Sequence, residues 1–171
     1  MAQSPETETL RRRKYYLDAN RNFLGQTWQG ISRFSWELPQ NTLGYNVSQI
    51  RNAFGKVDRV DYFGGATFST RENQDGRRGV SLGNYINVSI TGEITGNFED
   101  RVINDPLFMH EYGHTFDSQI FGPLYLPGIG IPSAAGAQWT EIRANRHAAR
   151  YFEKHFDVDW TPFIREYPLN P

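Results

Sequence analysis

The sequence predicts one α+β domain, and three observations support that prediction. Helical patterns occupy the first third of the chain, an alternation of apolar and polar residues runs over residues 79–90, and two further helical patterns follow. With 171 residues the chain is long enough for one hydrophobic core and short for two. Aromatic residues make up 15% of it, which is too many for a disordered segment. Residues 1–171 are therefore expected to form a single domain.

The first third of the chain predicts three helices. Residues 5–22 have the pattern of a polar, charged helix at the periphery of the domain. Residues 27–39 and 45–55 predict two short helices that end at Pro39 and Gly55. Large apolar side chains recur at helical spacing in the second of these three segments. They favour a contribution to the core, with a platform for stacking a ligand as the alternative, and they are Trp28, Ile31, Phe34 and Leu38.

The middle of the chain changes to a strand-like period. Residues 57–63 predict a strand, and Gly64 and Gly65 mark a turn after it. The strongest strand pattern is GVSLGNYINVSI, residues 79–90, in which only Asn84 interrupts the apolar face. This pattern predicts one half-buried, antiparallel strand with a solvated side. Its apolar positions are Val80, Leu82, Ile86, Val88 and Ile90.

Two helices are predicted in the last third. The first begins with Asp105 as N-cap and Pro106 at the first helical position, where a missing N–H group costs nothing. It ends at Gly122–Pro123, and the following residues 122–138 are rich in proline, glycine and apolar side chains. They predict a long ordered loop, which in a small domain is often functional. The second helix is expected from residue 139 or 140 to 156.

The stretch FMHEYGHTF, residues 108–116, places two histidines one helical turn apart. Residues four apart on an α-helix differ by about 40° around its axis, so His110 and His114 share one face. Glu111 projects roughly 100° away, within reach of a metal-bound water without being a ligand. Apolar neighbours indicate a largely buried helix, and a buried histidine pair needs a partner that offsets its desolvation. The pattern predicts a zinc site rather than a surface helix with solvated histidines.

Zinc requires a third protein ligand, and the candidates downstream are Asp117, Glu141, His147, His155 and Asp157. Asp117 shares the helix face, but its direction suits a hydrogen bond to a motif histidine better than coordination. Glu141 begins the second helix, and Asn145 follows four residues later on the same face. A polar pair at the start of a face that becomes apolar is typical of a ligand and the residue that orients it. An exposed glutamate favoured by the helix dipole is the alternative.

Composition excludes several classes of protein. Lys and Arg total 18 against 19 Asp and Glu, a net charge of -1, so no bulk field attracts nucleic acid or an anionic membrane. The absence of cysteine excludes disulfides, thiol nucleophiles and cysteine-ligated metals. No stretch has the length of a membrane span. The first ten residues lack the apolar segment of a signal peptide, so export would depend on a larger protein.

The residues HEYGH, followed by a helix that contains WTEIRAN, resemble the gluzincin branch of the zincin metallopeptidases. The resemblance implies one zinc ion per chain and Glu111 as the general base. It also implies a zincin-like fold, in which a small mixed sheet packs with N-terminal helices and two metal-bearing helices. The implied zinc ligands are His110, His114 and Glu141.

Two details of the resemblance differ from the common pattern of that branch. An aspartate usually stands four residues after the ligand glutamate and bonds a motif histidine, whereas this chain has Asn145, which accepts the same bond without adding charge. The branch also draws a transition-state histidine or tyrosine from a further helical domain, and little chain follows Glu141 here. The donors considered within this chain, none of them preferred, are Tyr125, Tyr151 and His147.

Segments spread over residues 25–155, among them WQGISRFSWELPQ and RGVSLGNYIN, are similar to C-terminal domains that follow Rhs-type repeats in Bacteroidetes. This similarity implies that the domain is the tip of a large exported polymorphic toxin. A protein or peptide substrate and a cognate inhibitor, or immunity protein, are the partners it implies.

The expected function is hydrolysis of a peptide bond by a zinc metalloendopeptidase. The strand at residues 80–90, or a neighbour, would hold an extended substrate by β-addition, and residues 122–138 would line the pocket. One alternative is a zinc hydrolase that acts on a non-peptide amide or ester. The other is a non-enzymatic domain in which the metal only joins two helices. Glu111 argues against the latter, because a structural site needs no free carboxylate beside an open position.

Overall fold

The structure is a computed structural model that describes residues 16–171, and it is mixed α+β as predicted. The helix expected over residues 5–22 lies mostly outside the described residues. Within them, residues 17–22 form bends and turns, so that the first described helix of any length begins after them.

Two helices form the N-terminal layer: α1, Phe23–Phe34, and α2, Leu38–Ala53. The expected helix end at Pro39 is wrong. Helix α1 ends at Phe34, residues 35–37 form a turn, and Pro39 lies in the first turn of α2. A proline is tolerated there, since its missing N–H group would have no partner within the helix. Gly55 follows the end of α2 as predicted, with φ of 63°.

The assignment of three apolar residues of α1, and of Leu38 at the start of α2, to the core is wrong. Trp28, Ile31, Phe34 and Leu38 are all exposed, and Phe34 retains 78% of its accessible surface. The residues of α1 that are buried are polar, namely Gln29, Ser32 and Arg33. Periodicity reveals that a helix has an apolar face, but it does not say which face meets the rest of the protein.

The sheet is formed by strands β1, Arg59–Phe63; β2, Ala66–Arg71; β3, Arg78–Leu82; and β4, Tyr85–Ser89. Its strand order is β1-β2-β4-β3. Strands β2 and β4 are parallel, and the two outer pairs are antiparallel. The predicted turn at Gly64 and Gly65, with φ of 55° and 73°, joins β1 to β2. Positive φ at both positions is what a two-residue hairpin turn of this hand requires. Strand β2 itself was not predicted from the sequence pattern.

The prediction of one strand over residues 79–90 is wrong, because the chain reverses at Gly83 and Asn84 to form the β3–β4 hairpin. Asn84, which interrupted the alternation, lies in the turn. Pairing places Ser81 opposite Ile86, so these two residues share the inner face of the sheet. Val80 points to the other face and is exposed.

The helices of the last third follow the prediction closely. The first, α4, spans Pro106–Phe121, and the Asp105 side chain accepts a hydrogen bond from the Leu107 N–H group at 3.0 Å. Gly122 ends it. The other long helix, α6, spans Gln138–Phe156, and a short helix, α3, Phe98–Asn104, precedes α4.

The segment expected to be a loop between α4 and α6 is instead locally helical. It comprises a 3-10 turn at Gly122–Leu124, a π-turn at Leu126–Gly130 and α5, Ile131–Ala134. Short helical turns let a proline- and glycine-rich chain satisfy its backbone groups without a sheet partner.

The hydrophobic core lies between the sheet and the helices α4 and α6. Among its members are Phe68, Ile86, Val88, Phe108, Met109, Tyr112 and Phe152. Among the residues described, no helix has the length and hydropathy needed to cross a membrane.

Candidate metal centre

Helices α4 and α6 approach closely at Gly113, inside the HEYGH motif. A β-carbon at this position would lie 2.2 Å from the carbonyl oxygen of Ala144, so any other residue would push the helices apart. The glycine therefore brings the motif histidines within reach of the first turns of α6.

The structure brings three of the expected residues together. Nε2 of His110 lies 3.1 Å from Oε2 of Glu141, and Nε2 of His114 lies 3.8 Å from the same oxygen. The ligand atoms of the three residues all lie within 4.8 Å of one another. Tetrahedral zinc with bonds of about 2.0–2.2 Å holds its donors about 3.3 Å apart, so small side-chain shifts suffice for coordination.

The electrostatics of the group favour a cation between these residues. Burial raises the pKa of Glu141, but the bonds from His110 and His114 outweigh this effect and hold the pKa well below its usual range. Burial lowers the pKa of His110, yet the bond to Glu141 and the charge of Glu111 outweigh burial and raise it. The carboxylate stays ionised and attracts positive charge, which a proton on the imidazole or a metal ion can supply.

Asn145 orients His110, and both polar atoms of its amide form hydrogen bonds. Its Oδ1 lies 2.7 Å from Nδ1 of His110, and its Nδ2 donates to the carbonyl of Pro168 at 2.9 Å. With the amide placed in this way, Nδ1 of His110 carries the hydrogen and Nε2 keeps the lone pair that a metal needs. An aspartate could not donate to the Pro168 carbonyl, so the amide also holds the C-terminal segment.

Ser133, which the sequence did not single out, fixes the carboxylate of Glu141. Its hydroxyl donates to Oε1 of Glu141 at 2.6 Å, and the hydroxyl of Thr140 adds a longer contact at 3.3 Å. Oε1 is thereby occupied and Oε2 is left facing the histidines, an arrangement suited to coordination through one oxygen. A single serine in a proline- and glycine-rich segment carries no pattern that would have revealed this role.

Glu111 lies in a cradle formed by strand β3. The Ser81 hydroxyl lies 2.7 Å from Oε2 of Glu111 and 2.8 Å from its backbone carbonyl, and with one hydrogen it donates to one of them at a time. A β-carbon at Gly79 would lie 2.3 Å from Oε1 of Glu111, so this glycine leaves room for the carboxylate. Neither Ser81 nor Gly79 was predicted to lie beside Glu111, because the prediction of a single strand over residues 79–90 assigned the inner face to the apolar positions.

Asp117 does not bond a motif histidine, and that expectation is wrong. Its Oδ1 accepts from Arg143 at 2.7 Å and from His147 at 3.2 Å, both on α6. Burial raises the pKa of Asp117, but His147 and Arg143 outweigh it and lower the pKa below its usual range. Within the described part of the chain, Nδ1 of His114 and Oδ2 of Asp117 are both buried without a hydrogen-bond partner.

The three candidate oxyanion donors use their polar groups elsewhere. The hydroxyl of Tyr125 donates to the carbonyl of Ser81 at 3.0 Å, and that of Tyr151 donates to Asp18 at 2.7 Å. His147 pairs with Asp117, as described above. Tyr167, which the sequence did not indicate, is closer to the centre, with its ring 5.4 Å from that of His110.

The two remaining ligand candidates lie at the far end of α6. His155 packs against the ring of Tyr151 at 4.8 Å, and Asp157 is the C-cap of the helix. About four helical turns separate them from Glu141, which places them roughly 20 Å away along the axis. They do not belong to the group.

Comparison with known proteins adds no relative to this description: no family model matches the chain, and no curated protein or solved structure is significantly similar to it.

Proposed function

We propose that this protein is a zinc-dependent hydrolase with a zincin-like fold, and that it acts as a metalloendopeptidase. One observation carries the proposal. His110, His114 and Glu141 converge from two helices to within 4.8 Å, and Glu111 follows a ligand directly on the same helix. Two imidazoles and one carboxylate are a donor set that zinc prefers, and three protein ligands leave a position for water.

The proposed reaction divides the chemistry between the metal and the chain. Bound zinc would lower the pKa of a water molecule and polarise the scissile carbonyl. Glu111 accepts the proton of the attacking water and passes it to the leaving amine. The hydroxyl of Ser81 holds the Glu111 carboxylate in place for both transfers, and Gly79 leaves the space that the carboxylate occupies. Burying a carboxylate is energetically unfavourable, and a purely structural metal site would not need the buried Glu111. Its burial and its hydrogen bond therefore favour a catalytic role.

The edge of strand β3 is the proposed place for the substrate backbone. Because Leu82 and Tyr85 flank a two-residue turn, Gly79 and Ser81 direct their backbone groups away from β4. Tyr125 occupies the carbonyl of Ser81, which leaves Gly79 for pairing with an extended peptide. This geometry supports extended peptides as substrates. The resemblance to Rhs-associated domains supports a protein target, a toxin role within a larger exported protein, and a cognate inhibitor.

The test is Glu111→Gln, which keeps the size of the side chain but cannot take a proton. We expect zinc content and melting temperature to match the parent, and peptide hydrolysis to fall by roughly 10²–10⁴-fold. Glu153→Gln, an exposed change on α6, is the matched control and should retain full activity. Zinc analysis, a melting curve and cleavage of a peptide library measure the outcome. Full activity of Glu111→Gln would refute the mechanism, and cleavage of esters or amides alone by the parent would replace the peptide substrate.

A further inference from the structure

Helix α1 is turned so that its polar face meets the protein. Gln29 donates to the carbonyl of Gly64 at 3.0 Å and accepts from the backbone of Asp18 at 2.8 Å. Ser32 bonds the buried carboxylate of Glu37. These bonds fix the orientation of the helix, because rolling it to bury the apolar face would leave several interior polar groups without partners.

The opposite face of α1 is apolar and exposed. Phe23 and Leu24 retain 78% and 73% of their accessible surface, and Trp28, Ile31 and Phe34 are exposed on the same side. The stripe is anchored to the rest of the domain: Trp28 packs on Trp36 with ring centroids 4.8 Å apart, and Trp36 donates to the carbonyl of Gln119 at 2.9 Å. The apolar stripe is defined as the side chains of Phe23, Leu24, Trp28, Ile31 and Phe34 on α1 together with Leu38 at the start of α2.

The area of the apolar stripe approaches what a specific interface needs. With about 150–250 Å² for each fully exposed aromatic side chain, and somewhat less for leucine and isoleucine, the stripe exposes about 700 Å². The largest apolar patch on a monomeric protein is usually about 300–600 Å². A standard interface buries about 800 Å² on each partner, so the stripe and its immediate surroundings suffice for one.

Charge decides which occupant fits. Arg33 is the only charged residue of α1 and is buried, so the helix presents no charge to solvent. Two identical stripes can meet without repulsion and without a desolvated charge. A helix that binds an anionic membrane surface usually carries exposed cationic side chains on its polar face, which α1 lacks. Residues 1–15 contain few large apolar side chains, among them Met1, Leu10 and Tyr15, too few to cover the stripe.

We propose that the apolar stripe is the interface of a homodimer, in which α1 of one protomer packs across a twofold axis against α1 of its partner. Such an interface is self-complementary, because the same patch serves both subunits. It lies on α1 rather than on the metal-bearing helices, so it does not depend on the proposed zinc chemistry.

The test is the mass of the full chain in solution, measured by sedimentation equilibrium with and without zinc. At about 10 µM we expect a dimer of twice 19.7 kDa. Ile31→Glu places a charge at the centre of the stripe and should weaken dimerisation by at least roughly 100-fold. Ile164→Glu adds the same charge at an exposed apolar residue outside the stripe and should leave the dimer intact. Circular dichroism of both variants verifies that the monomers remain folded.

Each other outcome overturns the proposal. A parent protein that stays monomeric up to about 1 mM excludes a physiological homodimer. A dimer that Ile31→Glu leaves unchanged places the interface elsewhere. A monomer that pellets with neutral phosphatidylcholine vesicles, and loses this binding in Ile31→Glu, assigns the stripe to lipid instead.

Discussion

Helices α4 and α1 both bury polar side chains, but they do so for different reasons. On α4 the buried polar groups include two histidines and a glutamate, and Nδ1 of His114 lacks a partner within the residues described. On α1 the buried Gln29 and Ser32 are bonded to neighbouring groups, and the apolar side faces solvent. Buried polarity on α4 therefore points to chemistry inside the domain. On α1 it fixes an orientation, and the unexplained surface lies outside.

The largest expected effect tests whether α4 and α6 form a metal site at all. Glu141→Ala removes one of three donors and should weaken zinc binding by more than roughly 100-fold, beyond the effect of losing an orienting residue. Asp117→Ala is the matched comparison, because that carboxylate bonds Arg143 and His147 and should leave zinc binding nearly unchanged while lowering stability. Competition with a chromophoric chelator measures both. If the two variants exchange behaviour, the assignment of the third ligand is wrong.

The next effect tests whether the polar face of α1 holds the helix in place. Gln29→Ala leaves the carbonyl of Gly64 and the N–H group of Asp18 without partners, so we expect a loss of about 2 kcal/mol in the free energy of unfolding. Thr27→Ala, on the exposed side and bonded only to its own helix, should cost less than about 0.5 kcal/mol. Urea denaturation at one protein concentration compares them. Equal losses would show that the inner face is not the anchor.

A smaller effect tests the cradle of Glu111. Ser81→Ala removes the hydroxyl that holds the carboxylate, and we expect kcat/KM for a peptide to fall about tenfold, which corresponds to about 1.4 kcal/mol. Zinc content should not change. Ser81→Thr keeps the hydroxyl and should restore most of the activity. If alanine and threonine behave alike, the hydrogen bond does not orient the base.

The smallest effect is the pH dependence of zinc stabilisation. The pKa of His110 is higher in the folded protein than its value of about 6.5 in the unfolded chain. Protonation of His110 therefore stabilises the metal-free protein fully below that unfolded pKa. This stabilisation is lost as pH rises through the folded pKa. Zinc must displace that proton, so its apparent affinity should fall by up to about tenfold per pH unit below the folded pKa. The rise in melting temperature on adding zinc should therefore grow as pH rises through the folded pKa of His110. A constant increment would exclude His110 as a ligand.

Local signals in the sequence were sufficient to predict helices α4 and α6. Asp105, Pro106 and Gly122 act within a few residues of the helix ends, so the bounds of α4 were predictable. The same holds for the spacing of His110 and His114. Ser81 and Ser133 were not predictable, because each acts on a carboxylate that is distant in sequence, and a lone hydroxyl leaves no periodic trace.

The sequence by itself determined which residues share a helix face and where glycine and proline interrupt the chain, because these depend on backbone geometry within a turn or two. Only the tertiary structure decided which face turns inward. The polar face of α1 turns inward because it forms hydrogen bonds with the buried residues Asp18 and Glu37, and the apolar stripe is left exposed. In residues 79–90 a chain reversal at Asn84 brings Ser81 to the inner face of the sheet. Orientation is set by contacts between distant segments, and no local pattern records them.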